Sequence, residues 1–232
     1  MEVAFMNSKV IQDIRLYKSE AQNEFGNYNI TSFSNKTLNA IITRIVMKLR
    51  ENNFSLGEFD HLYINFTTRD IPDKICLSSK VDRYHPWYRY CDVQIEQNIY
   101  EKLDSIESKE EILNYVSTVL VTCFATSDFE KTKIVFCVHQ AIKEGESMLM
   151  KFKEKVSSTR KAVIYLRYLD ICKFSPLLQV FDTEGKLLFE KDLPEAIMLD
   201  YLGDIQVSAK KITIKPRKNA FTKECEPLVF KY

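Results

Sequence analysis

Three histidines, His61, His85 and His139, and six cysteines, at 76, 91, 123, 137, 172 and 225, are the side chains of this sequence best suited to hold a metal or attack a substrate. Their spacing does not support either use. No Cys-x-x-Cys pair occurs, and no histidine stands with partners at the intervals that a tetrahedral zinc site uses. No serine or cysteine sits in a nucleophile elbow or beside a recognisable base motif. His61 and His139 are read as ordinary structural or surface residues, and the cysteines as reduced thiols packed as small hydrophobes. Metal-dependent phosphodiester cleavage needs carboxylates to hold the ion and a lysine to stabilise charge. Pro72-Asp73 with Glu184-Gly185-Lys186 has the letters, but the two lie more than a hundred residues apart and the second reads as a hairpin loop, a chance match. The chemistry-bearing residues therefore predict a protein that is no enzyme and needs no metal or cofactor.

Two other segments could bind rather than react. Arg83-Tyr84-His85-Pro86-Trp87-Tyr88-Arg89-Tyr90 concentrates the large amphipathic side chains that anchor protein interfaces. Arg83, His85, Trp87, Tyr88 and Tyr90 are the candidate partner-binding residues. Strand alternation places Tyr88 and Tyr90 opposite Cys91, so something must cover them, either packing within the chain or a partner. The second segment is basic: Lys210, Lys211, Lys215, Arg217, Lys218 and Lys223 fall within fourteen residues that contain no acid. On a sheet edge these could grip phosphates. Edge lysines that block strand-to-strand aggregation are the plainer explanation, and Phe221 is the single aromatic residue that accompanies the cluster.

The elements that must position these residues follow from periodicity. Leu38, Ile41, Ile42, Ile45, Val46 and Leu49 form one apolar helical stripe, capped by Ser34 and ended by Asn52-Asn53, with Thr43, Lys48 and Arg50 off it. Leu62–Thr67 and Trp87–Ile95 alternate as strands, with a short strand around Ile75–Leu77. Ser108 to Glu111 reads as a capping box that opens a helix carrying Ile112, Val116, Val119, Leu120 and Cys123 on one face. Ser127 to Glu130 reads as another, opening a helical seam through Val135, Val138, Ile142, Gly145, Leu149, Phe152 and Val156, about 43 Å long if unbroken. Gly145 weakens that seam by roughly 1 kcal/mol relative to Ala, and Thr132–Cys137, β-branched and aromatic, is a rival strand. Beyond Ser157 the period is two: Val163–Tyr168, Leu177–Phe181, Lys186–Phe189, Ile205–Val207 and Ile212–Ile214, with Leu228–Phe230 closing the sheet. Asp182 to Gly185 has the form of a hairpin loop.

The predicted fold class is α+β: an N-terminal mixed α/β part (1–107), two to three amphipathic helices (108–158) and a C-terminal mostly antiparallel sheet (159–232), in one folded unit of 1–232. Apolar residues at 45% and charged residues at 28% of the 232 are ordinary globular values, and a net charge of +1 gives no overall attraction to nucleic acid or an anionic membrane. The start, Met1 to Asn7, lacks the basic-then-apolar pattern of a secretory signal, and no run approaches the roughly 20 apolar residues of a membrane span. A cytoplasmic location is the expectation.

The segments Leu62-Tyr63-Ile64-Asn65-Phe66-Thr67, Val81-Asp82-Arg83 and Trp87-Tyr88-Arg89-Tyr90-Cys91-Asp92-Val93 resemble the N-terminal half of immunity proteins from bacterial polymorphic toxin systems, the immunity protein 39 family being the nearest. Ile164-Tyr165-Leu166, the Phe181–Gly185 hairpin, Ile212 to Lys218 and Pro227-Leu228-Val229-Phe230 are similar to that family's C-terminal part. The resemblance covers roughly residues 60–232. It implies a cytoplasmic protein that binds and blocks a cognate toxin domain by surface complementarity, without catalysis. The alternative is a nucleic-acid-binding accessory protein that uses 210–223.

Overall fold

In the computed structural model, which describes residues 9–19, 31–32, 35–105 and 107–232, the chain forms two compact units, Met1–Gly145 and Glu146–Tyr232. The fold class is α+β, as the sequence predicts. Among the described residues no helix is long and apolar enough to cross a membrane.

The first unit is built on a five-stranded sheet of order β2-β1-β3-β5-β4, with β1 at Asp13–Ser19, β2 at Thr31–Ser32, β3 at His61–Thr67, β4 at Ile75–Leu77 and β5 at Tyr88–Gln94. Both β1 and β5 run parallel to β3, while β2 and β4 are antiparallel edges. A parallel pair needs a crossover, and the helix α1, Lys36–Glu51, supplies it between β1 and β3. Asn35 rather than Ser34 caps α1, its side chain accepting from the Leu38 amide at 3.1 Å; Ser34 lies outside the described residues. Asn52 ends the helix as expected, followed by Asn53 at a left-handed φ of 60°.

One apolar stripe is too narrow a description of α1. Arg44 and Lys48 are buried as well, because α1 packs on β1 and also against α4, Lys131–Glu144. Lys48 keeps its charge satisfied through Glu51, with Nζ to Oε2 at 2.6 Å. The short α2, Gln97–Tyr100, and α3, Lys109–Phe124, complete the unit, and the Tyr115 ring of α3 meets Phe66 of β3 edge-on at 5.9 Å. Neither predicted capping box forms. The Ser108 hydroxyl donates to the carbonyls of Lys102 (2.8 Å) and Ser105 (3.1 Å), and the helix after Ser127 starts behind Glu130 with no side-chain cap.

The continuous helix over 127–156 is the main correction. Thr132–Cys137 is helical, but the helix ends at Glu144 because Gly145 takes φ 53° and ψ −131°, outside any helical conformation. After a single 3₁₀ turn the chain becomes β6, Met150–Val156. Its Met-Lys-Phe-Lys-Glu-Lys-Val sequence alternates with period two for part of its length, and Phe152 and Val156, four residues apart, satisfy both templates. The helical subregion thus stops at Glu144 rather than 158, and the β-meander begins at Met150 rather than 159.

The second unit holds two antiparallel sheets where the sequence reading continued one. The first has the order β6-β7-β8-β9, with β7 at Lys161–Tyr168, β8 at Phe174–Phe181 and β9 at Leu187–Asp192. Its β8–β9 turn is the predicted hairpin: Gly185 has φ 85°, and Asp182 Oδ1 accepts from the amides of Glu184 and Lys186, each at 2.9 Å. The second has the order β10-β11-β12, at Asp204–Val207, Lys211–Lys215 and Leu228–Lys231. Ile205, Ile212 and Ile214 are its buried residues. Gly203 lets the chain pass beside the end of β11: a Cβ there would stand 2.5 Å from the Lys215 carbonyl oxygen and 2.6 Å from the Arg217 nitrogen. Both are backbone atoms and cannot swing aside. Gly203→Ala is therefore expected to destabilise the protein by about 1–3 kcal/mol, read as a lower urea midpoint with an unchanged slope.

Candidate functional site

Parallel registration puts directly paired residues on the same side of the sheet. His61 pairs with Tyr88, Tyr63 with Tyr90 and Asn65 with Asp92, while on the other edge of β3 Arg15 pairs with Tyr63 and Tyr17 with Asn65. One face of the sheet is consequently aromatic at one end and polar at the other. Tyr17, Tyr63 and Tyr90 are buried there and Tyr88 packs against them. Tyr63 stacks on Tyr17 with centroids 5.4 Å apart and ring planes 7° from parallel, and also meets Tyr88 at 4.6 Å and Tyr90 at 5.1 Å.

The row continues outward into the loop before β5. His85 stacks on Tyr88 at 4.7 Å, and Trp87 meets the His85 ring edge-on at 5.4 Å. The loop is fixed at both ends. Asp82 Oδ1 accepts from the amides of Tyr84 (2.9 Å) and His85 (2.8 Å), while Oδ2 accepts from the Tyr90 hydroxyl at 3.3 Å. The Ser78 amide donates to the Tyr90 carbonyl at 3.0 Å, and the Asp60 amide to the Trp87 carbonyl at 3.1 Å. Cations lie over three of the rings: Lys9 on Trp87, Arg15 on Tyr63 and Lys80 on Tyr90, at 5.7, 5.6 and 5.0 Å.

The predicted anchors divide. Arg83 and His85 are exposed, Trp87 and Tyr88 are half-buried, and Tyr90, only 4% exposed, is a structural residue that fixes the loop. The structure brings His85, Trp87 and Tyr88 into contact. Tyr84, 78% exposed at the loop's tip, belongs to the same surface. Sequence reasoning passed over it because strand alternation says nothing about a loop. Tyr17 and Tyr63 were also missed as parts of the cluster; each occupies a strand position opposite the apolar set, but only register makes them neighbours.

The polar end of the same face carries a second cluster. The Asn65 side-chain amide donates to Ser19 Oγ at 2.9 Å and to Asp92 Oδ1 at 2.7 Å, and an Arg69 nitrogen lies 3.5 Å from Asp92 Oδ2. Asp92 is wholly buried. This group joins β1, β3 and β5 through side chains, and its geometry is that of a lock between strands: the carboxylate accepts from donors already in place.

The remaining candidates fall elsewhere. His61 Nδ1 lies 2.6 Å from Asp60 Oδ1, and His139 lines a groove between α3 and α4. All six cysteines are free; Cys91 and Cys137 are buried as expected, whereas Cys172 and Cys225 are exposed. Lys210, Lys211, Lys215, Arg217 and Lys218 are exposed or partly so, on and beside β11. Because β11 lies between β10 and β12, the edge-strand explanation for these lysines does not hold.

Burial pushes the Tyr17 and Tyr63 phenols above the ordinary tyrosine range, and burial with the nearby Asp82 charge pushes Tyr90 up to about 12. The backbone amides of His85 and Tyr84 hold the Asp82 carboxyl below the usual range. A raised phenol pKa contributes stability that is complete below the unfolded value and is lost as pH rises through the folded value. Stability should accordingly fall between about pH 10 and 12. In a titration followed by tyrosinate absorbance, Tyr90→Phe should remove a late-ionising group, and an unchanged late phase would contradict the assignment. No protein-family model matches the chain, and neither the curated proteins nor the solved structures include a match.

Proposed function

We propose that this protein is a non-catalytic binding protein whose aromatic loop docks a partner protein, and that the partner is a bacterial toxin domain neutralised by the contact. The observation that carries the reading is the exposed set Arg83, Tyr84 and His85, with the half-buried Trp87 beside them, on a loop held at both ends and backed by stacked rings. Aromatic and arginine side chains supply most of the energy at protein interfaces. A loop already fixed in the free protein loses little conformational freedom on docking. The resemblance to immunity proteins supplies the class of partner, and with it a cytoplasmic site of action. Inhibition of this kind is stoichiometric.

Co-expression with the toxin encoded immediately upstream tests the reading, with restored growth as the expected result. Tyr84→Ala and Trp87→Ala should each weaken toxin binding by roughly tenfold or more, with unchanged thermal unfolding for Tyr84→Ala. Failure to protect against any neighbouring toxin would overturn the proposal. Protection that survives the loss of both rings would move the interface elsewhere.

A further inference from the structure

We propose that the basic hollow at the end of β11 binds single-stranded nucleic acid, taking phosphates on Lys215, Arg217, Lys218 and Lys223 and stacking a base on Phe221. This stands apart from the partner proposed above, since it uses the second unit and different residues. The hollow, about 550 Å³, is lined by those four cations together with Asn219 and Thr222 and two prolines. Among the described residues Lys215, Lys218 and Lys223 form no ion pair, and Arg217 meets Asp200 at a long 3.9 Å. The acids nearby are few: Asp200, Asp204 opposite Lys215 in the register, and Glu224 and Glu226 in the following turn.

The site is built rather than loose. The Asn219 side chain accepts from the Phe221 amide at 2.9 Å and donates to Asp200 Oδ1 at 2.9 Å. The Arg217 amide donates to the Asp200 carbonyl at 2.7 Å, and the buried Thr222 hydroxyl donates to the Arg217 carbonyl. That turn holds Phe221 with 77% of its surface in solvent, beside Lys218 and Lys223 in the chain. An exposed ring next to unpaired cations is the combination that single strands use, because any base can stack while the backbone is neutralised. The sheet surface extends the strip. Lys211 lies directly opposite Lys231, a like-charged cross-strand pair that is destabilising by itself, and a polyanion along the strand would relieve it. Lys211 and Lys215 are about 13 Å apart along an extended strand. A compact phosphate-bearing metabolite would engage one end of such a strip and leave the other unused; a strand engages both.

Fluorescence anisotropy of the full chain with short labelled oligouridine and oligothymidine tests this. Binding should weaken with salt, with a slope of log K on log salt of about −2 to −3 for three or four neutralised phosphates. Lys218→Gln with Lys223→Gln should make the slope shallower by about 1.4. Phe221→Ala should lower affinity by about tenfold and leave the slope unchanged. Lys191→Gln, which removes an exposed charge on β9, should alter neither quantity, and Trp87→Ala should also leave binding intact. Preference for either sugar supports the site and identifies its ligand. Absence of binding, equal capture of polyglutamate, an unaltered slope in the double variant, or indifference to the loss of Phe221 would each overturn the proposal.

Discussion

A central parallel strand has no face to give to water, and β3 shows how this molecule meets that constraint. Six of its seven residues are buried. One side carries Leu62, Ile64 and Phe66, in the manner of any sheet covered by helices. The other carries Tyr63, Asn65 and Thr67, which are too polar to be left simply dry. Stacked tyrosines cover one end of that side and hydrogen-bonded polar groups fill the other. The register of β1, β3 and β5 is what makes both solutions possible, since a slip of one residue would send every ring to the helical face.

Most polar groups inside this arrangement are paired, which offsets the cost of burying them; the Asn65 side-chain oxygen is the exception, buried without a partner among the described residues. Asp92 has the Asn65 amide and the Arg69 guanidinium as donors, and an isolated carboxylate in the same place would be strongly destabilising. Arg15 donates to Asp13 at 2.7 Å, which raises its already high pKa, and to the Tyr63 hydroxyl at 3.2 Å. The second unit applies the same rule at its tight passage. Lys153 donates from Nζ to the carbonyls of Leu202 (2.7 Å) and Gly203 (2.6 Å), while its burial and the nearby Arg217 lower its pKa. The chain at the close approach of Gly203 is thus held by one half-buried ammonium.

Much of the fold was legible because local signals were unambiguous. The stripe of α1, the alternation of β3 and β5 and the Asp182–Gly185 turn each matched one template only. The segment after Gly145 matched two: its apolar residues fall at helical intervals and, from Met150, at strand intervals as well. Only pairing with β7, from Met150 with Leu166 to Val156 with Lys161, decides between them. The candidate site was half visible for a related reason. Trp87, Tyr88 and His85 are neighbours in the chain, so composition finds them. Tyr17 and Tyr63 come from strands whose adjacency is a long-range event, and Tyr90 has the residue type of an anchor while its hydroxyl serves Asp82.

Asp82 divides the labour of this surface. One carboxylate shapes the loop through two amides and ties it to the sheet through a phenol, and none of those bonds depends on what the side chains of Arg83, Tyr84 or His85 are. The frame and the face it presents are chemically separable. The outward residues can therefore be exchanged, and the chemistry of the surface changed, without having to solve the folding problem again.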